Sequence, residues 1–143
     1  MDTQEQADKK ANAVVEEMLS KDLFSKWLGI EVLEVKEGYS KIQLKIREEM
    51  TNGFDIVHGG IAFSLADTAF AFASNNRNNV SVALDASISY TKAVMPGDVL
   101  IAEATELHNG RRTGLYQVTV TNQLNVQVAF FNGTCYRTGK PLL

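Results

Sequence analysis

One aspartate, Asp67, is the only charged side chain in the run from Gly59 to Asn75. At helical spacing its neighbours three and four positions away are Phe63, Ser64, Phe70 and Ala71. A carboxylate in that setting is desolvated, which raises its pKa and makes it a stronger base. Alone, it reads either as a base or nucleophile or as a buried acceptor of structural hydrogen bonds. Upstream, His58-Gly59-Gly60 stands where this apolar helix begins. Two glycines there leave backbone N–H groups unobstructed at the positive end of the helix dipole, a place for a developing negative charge. The alternative is a tight loop that simply needs glycine. A buried base and an oxyanion site together are what hydrolysis of an activated acyl group requires. Gly60 and Asp67 lie seven residues apart, about 10 Å along a helix. One scissile carbonyl and its attacking water cannot reach both within one chain, whereas an antiparallel neighbour helix could supply its own Asp67. The spacing therefore predicts a site shared between two subunits.

The other reactive side chains form no competing centre. His58, His108 and Cys135 are the only soft metal ligands, and none stands at ligand spacing from another, so no metal is expected. His108, before a hairpin turn, reads as a surface residue and Cys135 as a small buried one. No phosphate-binding loop with a terminal Lys and Ser or Thr occurs. Thr68 reads as a helix residue bonding its own backbone.

The elements that must position Asp67 follow from periodicity. Residues Asp2 to Leu19 place Ala11, Val14, Val15, Met18 and Leu19 on one helical face. A short second helix through Leu23, Phe24, Trp27 and Leu28 ends at Gly29. Alternation then predicts strands from Ile30 through Val35 and over Lys41 to Ile46. Thr51 to Gly60 is loop, with turn signals at Asn52-Gly53. The central helix runs from Ile61 to about Ser74, and Asn75 to Asn79 form a polar loop. Strands follow over Val80–Tyr90, Val99–Leu107, Leu115–Asn122 and Val126 to about Tyr136, with turns at Pro96-Gly97-Asp98, Asn109-Gly110 and Gln123-Leu124-Asn125. This order predicts an α+β domain spanning 1–143, with one antiparallel sheet of five or six strands and helices over 1–28 leading into it. A helix apolar on nearly all sides calls for a strongly curved sheet around it. The long flat edge left over calls for pairing with a second copy.

Composition bounds the function. In 143 residues, 45% are hydrophobic and 22% charged, which is an ordinary globular balance. Fourteen basic against seventeen acidic residues give a net charge of −3, which argues against a nucleic-acid binder. A single cysteine excludes an intrachain disulfide. The N-terminal residues lack a basic start followed by an apolar stretch, and the longest nearly apolar run, Ile61–Ala73, is too short to cross a bilayer. A cytoplasmic protein with no membrane partner is expected.

The run from Asn52-Gly53 through His58-Gly59-Gly60-Ile61-Ala62-Phe63-Ser64-Leu65-Ala66-Asp67-Thr68-Ala69-Phe70 resembles the hotdog-fold acyl-CoA thioesterases of the phenylacetate-degradation (PaaI-type) branch. Leu28-Gly29-Ile30, Pro96-Gly97-Asp98, Gly110-Arg111-Arg112-Thr113-Gly114 with Tyr116, and Val128-Ala129-Phe130-Phe131-Asn132-Gly133 fit the same pattern. The resemblance implies a hotdog fold, a homodimer with a continuous sheet, and a homotetramer built from two such dimers. It also implies cofactor-free hydrolysis of an acyl-CoA, with an aromatic acyl group such as phenylacetyl or hydroxyphenylacetyl. By the same resemblance Asp67 is general base or nucleophile across the dimer, Gly59 and Gly60 supply the oxyanion N–H, and Asn52 and His58 hold the carbonyl or the water. Some members add a Ser or Thr from the next strand, where this chain has Ala83; Thr68 is then the candidate to assist.

Coenzyme A carries phosphates, so Arg111 and Arg112, and less strongly Lys92, become candidate contacts; a solvated hairpin end is the other reading of the arginines. Phe63 and Phe70 share a face with Asp67 and are candidates for the acyl pocket. Competing functions are a thioesterase for short or medium straight chains, a hydratase on the same fold, and a non-catalytic acyl-CoA-binding module. A hydratase would need a His and carboxylate pair facing the acyl carbons, and a binding module would not need the buried Asp67.

Overall fold

A computed structural model of the protein describes residues 2–143. Helix α1, Thr3–Lys21, opens with a capping box, in which Asp2 accepts from the Glu5 N–H and Glu5 accepts from the Asp2 N–H. Helix α2 spans Leu23–Leu28, and strands β1 and β2 span Glu31–Lys36 and Tyr39–Lys45. The central helix α3 runs Gly59–Asn75, and strands β3 to β6 cover Ser81–Tyr90, Val99–Asn109, Thr113–Thr121 and Gln127–Arg137. A 3-10 turn at Glu48–Met50, which periodicity did not indicate, precedes the loop into α3.

All six strands join one antiparallel sheet in the order β1-β2-β4-β5-β6-β3. Its concave face closes on α3 and buries Ala62, Leu65, Ala66, Ala69, Phe70, Phe72 and Ala73 against Ile42, Leu44, Leu100, Val118 and Phe131. The alanines let the strands approach the helix backbone, so that the buried Ser40 hydroxyl reaches the Ala69 carbonyl at 2.7 Å. The α+β class and the helix wrapped by a sheet are as the sequence predicts. Among the described residues no helix is long and apolar enough to cross a membrane.

Four details depart from expectation. The sheet leaves one stripe of α3 uncovered, and Gly60, Phe63, Ser64, Asp67 and Ala71 lie on it, none fully buried. The even alternation read along β3 is broken by a bulge between Ala83 and Asp85. Val82 and Leu84 are 51% and 60% exposed on an edge strand with no neighbour beyond it among the described residues. The β4–β5 connection holds three residues, Gly110 to Arg112, rather than a tight Asn109-Gly110 turn.

The Asn75–Asn79 stretch is a hub of caps rather than a solvated loop. Asn76 is fully buried and gives its amide to the Lys36 and Tyr39 carbonyls while accepting from the Gly38 N–H. Asn75 accepts from the Ser81 N–H, which joins the end of α3 to β3.

Candidate active site

The segment before α3 is held by backbone pairing. Val57 donates to the Val94 carbonyl, His58 to Met50, and Asn52 to Ile56. In this turn the left-handed residue is Asp55, with φ of 62°, and not Gly53. The Asn52 Oδ1 accepts from the Phe54 N–H at 2.8 Å, which fixes its amide and leaves Nδ2 without an acceptor among the described residues.

His58 caps α3 with its own ring, since Nδ1 accepts from the Gly60 N–H at 2.9 Å. Two consequences follow. The neutral ring must carry its proton on Nε2, the outward nitrogen. The Gly60 N–H, one of the two expected oxyanion donors, is already engaged, so the free N–H at this helix start is that of Gly59. Gly59 is also where Tyr90 lies closest. The Tyr90 hydroxyl donates to the Gly59 carbonyl at 2.9 Å, and a Cβ at position 59 would sit 3.1 Å from the ring. Asn52, His58, Gly59, Tyr90, Lys92 and Val94 line a cavity of about 420 Å³. Tyr90 carried no signal in the sequence beyond strand alternation, because only the sheet topology brings the end of β3 to the start of α3.

Asp67 lies elsewhere. It faces a second cavity of about 250 Å³ with Phe24, Phe63, Ser64, Thr68 and Phe72. It is partly buried, and desolvation raises its pKa above the usual 3.8. No hydrogen bond or ion pair among the described residues reaches its carboxylate. Thr68 donates to the Ser64 carbonyl at 2.8 Å, as expected of a helix residue bonding its own backbone. One chain thus presents two separate features on α3, a free N–H at Gly59 beside the outward face of the His58 ring and a desolvated carboxylate two turns on.

Three candidates fall outside both cavities. Phe70, expected on the Asp67 face, is 2% exposed and packs on Tyr116 and Phe131, so it belongs to the core; its partner candidate Phe63 does line the Asp67 cavity. Arg111 and Arg112 line a separate cavity with Arg137, whose guanidinium bonds the Ser74 carbonyl at the far end of α3. His108 is exposed and Cys135 buried. Among the described residues no three His, Cys, Asp or Glu side chains are grouped as a metal site.

A helix rolled in an antiparallel sheet, with an unpaired carboxylate in mid-helix and a free N–H at its start, is the framework of a thioester hydrolase. The model of the Thioesterase superfamily matches residues 54–129, and the chain belongs to that family. It is 38% identical to the acyl-coenzyme A thioesterase PaaI of Escherichia coli K12, over 85% of this chain and 87% of that one. It is 41% identical to a putative esterase of Archaeoglobus fulgidus, over 86% of this chain and 80% of the relative. The solved structure of the E. coli PaaI protein from the phenylacetic acid degradation operon superposes with a TM-score of 0.93 at 36% identity, covering 94% of this chain and 98% of that one. The fold is the hotdog fold and the protein is a thioester hydrolase.

Proposed function

We propose that the protein hydrolyses acyl-CoA thioesters with an aromatic acyl group, of the phenylacetyl or hydroxyphenylacetyl kind, in a site completed by a second copy of the chain. The observation that carries this is the unpartnered, desolvated carboxylate of Asp67, two helical turns from the free N–H of Gly59. The likeness to an acyl-coenzyme A thioesterase over most of both chains supports the acyl-CoA class.

The dimer is read from the exposed β3 edge. Pairing two such edges antiparallel continues the sheet and lays two α3 helices side by side in opposite directions. A two-fold axis beside Phe63 sets Asp67 of one copy level with Gly59 of the partner subunit, since Phe63 is midway between the two positions. Tyr90 lies against Gly59, so that axis crosses β3 near Ile88. Two such dimers would form the tetramer.

In the reaction the thioester carbonyl accepts from the Gly59 N–H and from Nε2–H of His58. Asp67, from the other copy, takes a proton from a water that Asn52 Nδ2 helps to hold. The resulting hydroxide adds to the carbonyl carbon, and the negative charge on oxygen is met by the same two donors. The C–S bond then breaks, the thiolate leaves, and the proton held by Asp67 passes to sulfur. Free acid and CoA result, with one water consumed. Direct attack by Asp67, with hydrolysis of the anhydride, gives the same products. Lys92 stands beside the carbonyl site to meet the CoA tail, and Arg111 and Arg112 are candidates for its phosphates at longer reach.

Thiol release from phenylacetyl-, hydroxyphenylacetyl-, benzoyl-, short and long straight-chain CoA esters tests the reading, with Asp67→Asn alongside. Release from the aromatic esters, lost in the variant, is expected. Release confined to straight chains would retain hydrolysis and discard the aromatic assignment. Binding of the esters with no thiol release from the wild type would make this a binding module.

A further inference from the structure

Helix α2 precedes the segment that the family model matches, residues 54–129, and it lines the cavity that Asp67 faces. α2 is one and a half turns long and firmly seated. Ser25 and Leu28, three apart, are buried at 1% and 0%. Asp22 caps the helix through the Ser25 N–H at 3.0 Å and its hydroxyl at 2.5 Å. At the other end Arg47 donates to the Leu28 carbonyl at 2.7 Å and lies over the Trp27 ring. With those anchors fixed, Phe24 is held at the rim of the cavity, stacked on Trp27 with ring centroids 6.2 Å apart. Phe63 stands in the same cavity and is itself braced edge-on by Phe131 at 5.5 Å. The cavity thus has a carboxylate without a partner and three aromatic side chains, Phe63 and the buried Phe72 on α3 and Phe24 on α2.

We propose that this cavity receives the acyl group and that Phe24 is its specificity-determining wall, set there by α2 to favour a flat ring over an extended chain. This rests on the hydrolase reading above. An acyl carbonyl held by Gly59 of the partner subunit, with Asp67 alongside, points its substituent along the free stripe of α3 toward Phe63 and α2. A ring of one or two carbons' reach packs against two aromatic side chains at offset or edge geometry. A long straight chain meets Phe24 end-on. An acetyl group stops short of it. Phe24 is 53% exposed in the single chain, and a ring seated against it would cover apolar surface that nothing in the fold covers.

The test is steady-state thiol release from acetyl-, phenylacetyl- and octanoyl-CoA by the wild type, Phe24→Ala and Phe24→Leu, with thermal melting to confirm folding. In Phe24→Ala the KM for phenylacetyl-CoA should rise about tenfold. The kcat with phenylacetyl-CoA and the kcat/KM with acetyl-CoA should change less than about twofold, and octanoyl-CoA should improve, because a uniform structural defect would move all three esters together. Phe24→Leu, which keeps the anchors and much of the volume, should fall between. An unchanged ratio of phenylacetyl to acetyl kcat/KM in folded Phe24→Ala, or equal loss on every ester, overturns the proposal while leaving the hydrolase reading intact. A wild type that cleaves none of the esters overturns the hydrolase reading instead. Calorimetric Kd values for acetyl- and phenylacetyl-CoA then pose the same question of Phe24, and an unchanged Kd ratio overturns the proposal.

Discussion

Asp67 is held in a state that costs stability. Burial without a hydrogen-bonding partner raises its pKa, so the carboxylate binds its proton more tightly in the fold than in the unfolded chain. The sign is therefore opposite to that of a salt-bridged acid. Below the unfolded pKa the group costs nothing, and the cost grows as pH rises through the folded value and is complete above it. Asp67→Asn should melt at higher temperature than the wild type at pH 7, with the difference shrinking toward pH 4. The gain should stay below about 1 kcal/mol, because the side chain is partly solvated. The same variant should lose about 10²–10⁴-fold in kcat. In the wild type kcat/KM should rise with pH along an acid limb whose midpoint lies above 3.8. A variant that is inactive but no more stable at pH 7 would assign Asp67 structural bonds that the single chain does not show. Gly59 is constrained by the Tyr90 ring 3.1 Å from any Cβ, and in the proposed reaction also by the carbonyl it receives. Gly59→Ala should therefore displace Tyr90 and raise KM, whereas Tyr90→Phe, which deletes only the bond to the Gly59 carbonyl, should have the milder effect of the two in the same assay.

At the level of elements, two features hold α3 at the right depth in the sheet. Asn76 satisfies three backbone groups of the β1–β2 turn from a fully buried position. Asn76→Ala should cost about 3 kcal/mol, since each orphaned buried group costs about 1–3 kcal/mol and water can enter to relieve part of it. Gly133 on β6 lies under Phe70, and a Cβ there would meet the ring at 2.8 Å. The ring is wedged between Tyr116 and Phe131, so Gly133→Ala should cost about 1–3 kcal/mol by overpacking. Urea midpoints for both variants check these values, and an unshifted midpoint for Gly133→Ala would mean that Phe70 has room to move. Neither effect is legible in the sequence. The asparagines read as a polar loop because that composition is what loops have, and only the meeting of α3 with the β1–β2 turn, nearly forty residues away, gives Asn76 its partners.

For the whole molecule, the decisive property is that Asp67 and Gly59 of one chain line different cavities and do not meet. If the site is composite, mixing refolded Asp67→Asn and His58→Ala subunits should restore about a quarter of wild-type activity from two inactive parents, because half the dimers are mixed and each mixed dimer holds one intact site. No recovery in a mixture shown to exchange subunits would confine the site to one chain. Replacing the exposed Ser87 and Ser89, which face each other across an axis near Ile88, by lysine should give monomers by light scattering and abolish thioester cleavage together, since like charges on a paired edge oppose strand pairing.

The sequence alone determined the parts that rest on local chemistry and period. These are the apolar helix with its lone Asp67, the His-Gly-Gly at its start, the run of alternating strands, and the distance along α3 that separates Asp67 from the glycines. Each depends on residues close in the chain, whose relative positions a helix or strand dictates. Tertiary structure alone decided the rest. It gave the Gly60 N–H to His58 and left Gly59 free, moved Phe70 from the expected pocket into the core, and set Arg111 and Arg112 at the far end of α3. It also brought Tyr90 and Phe24 to cavities that nothing in their own neighbourhoods indicates. The physical reason is that a helix presents apolar residues all round with the same pattern, and which of its faces the sheet covers is settled by strand order and curvature. That choice left one stripe of α3 open, and Asp67 is on it.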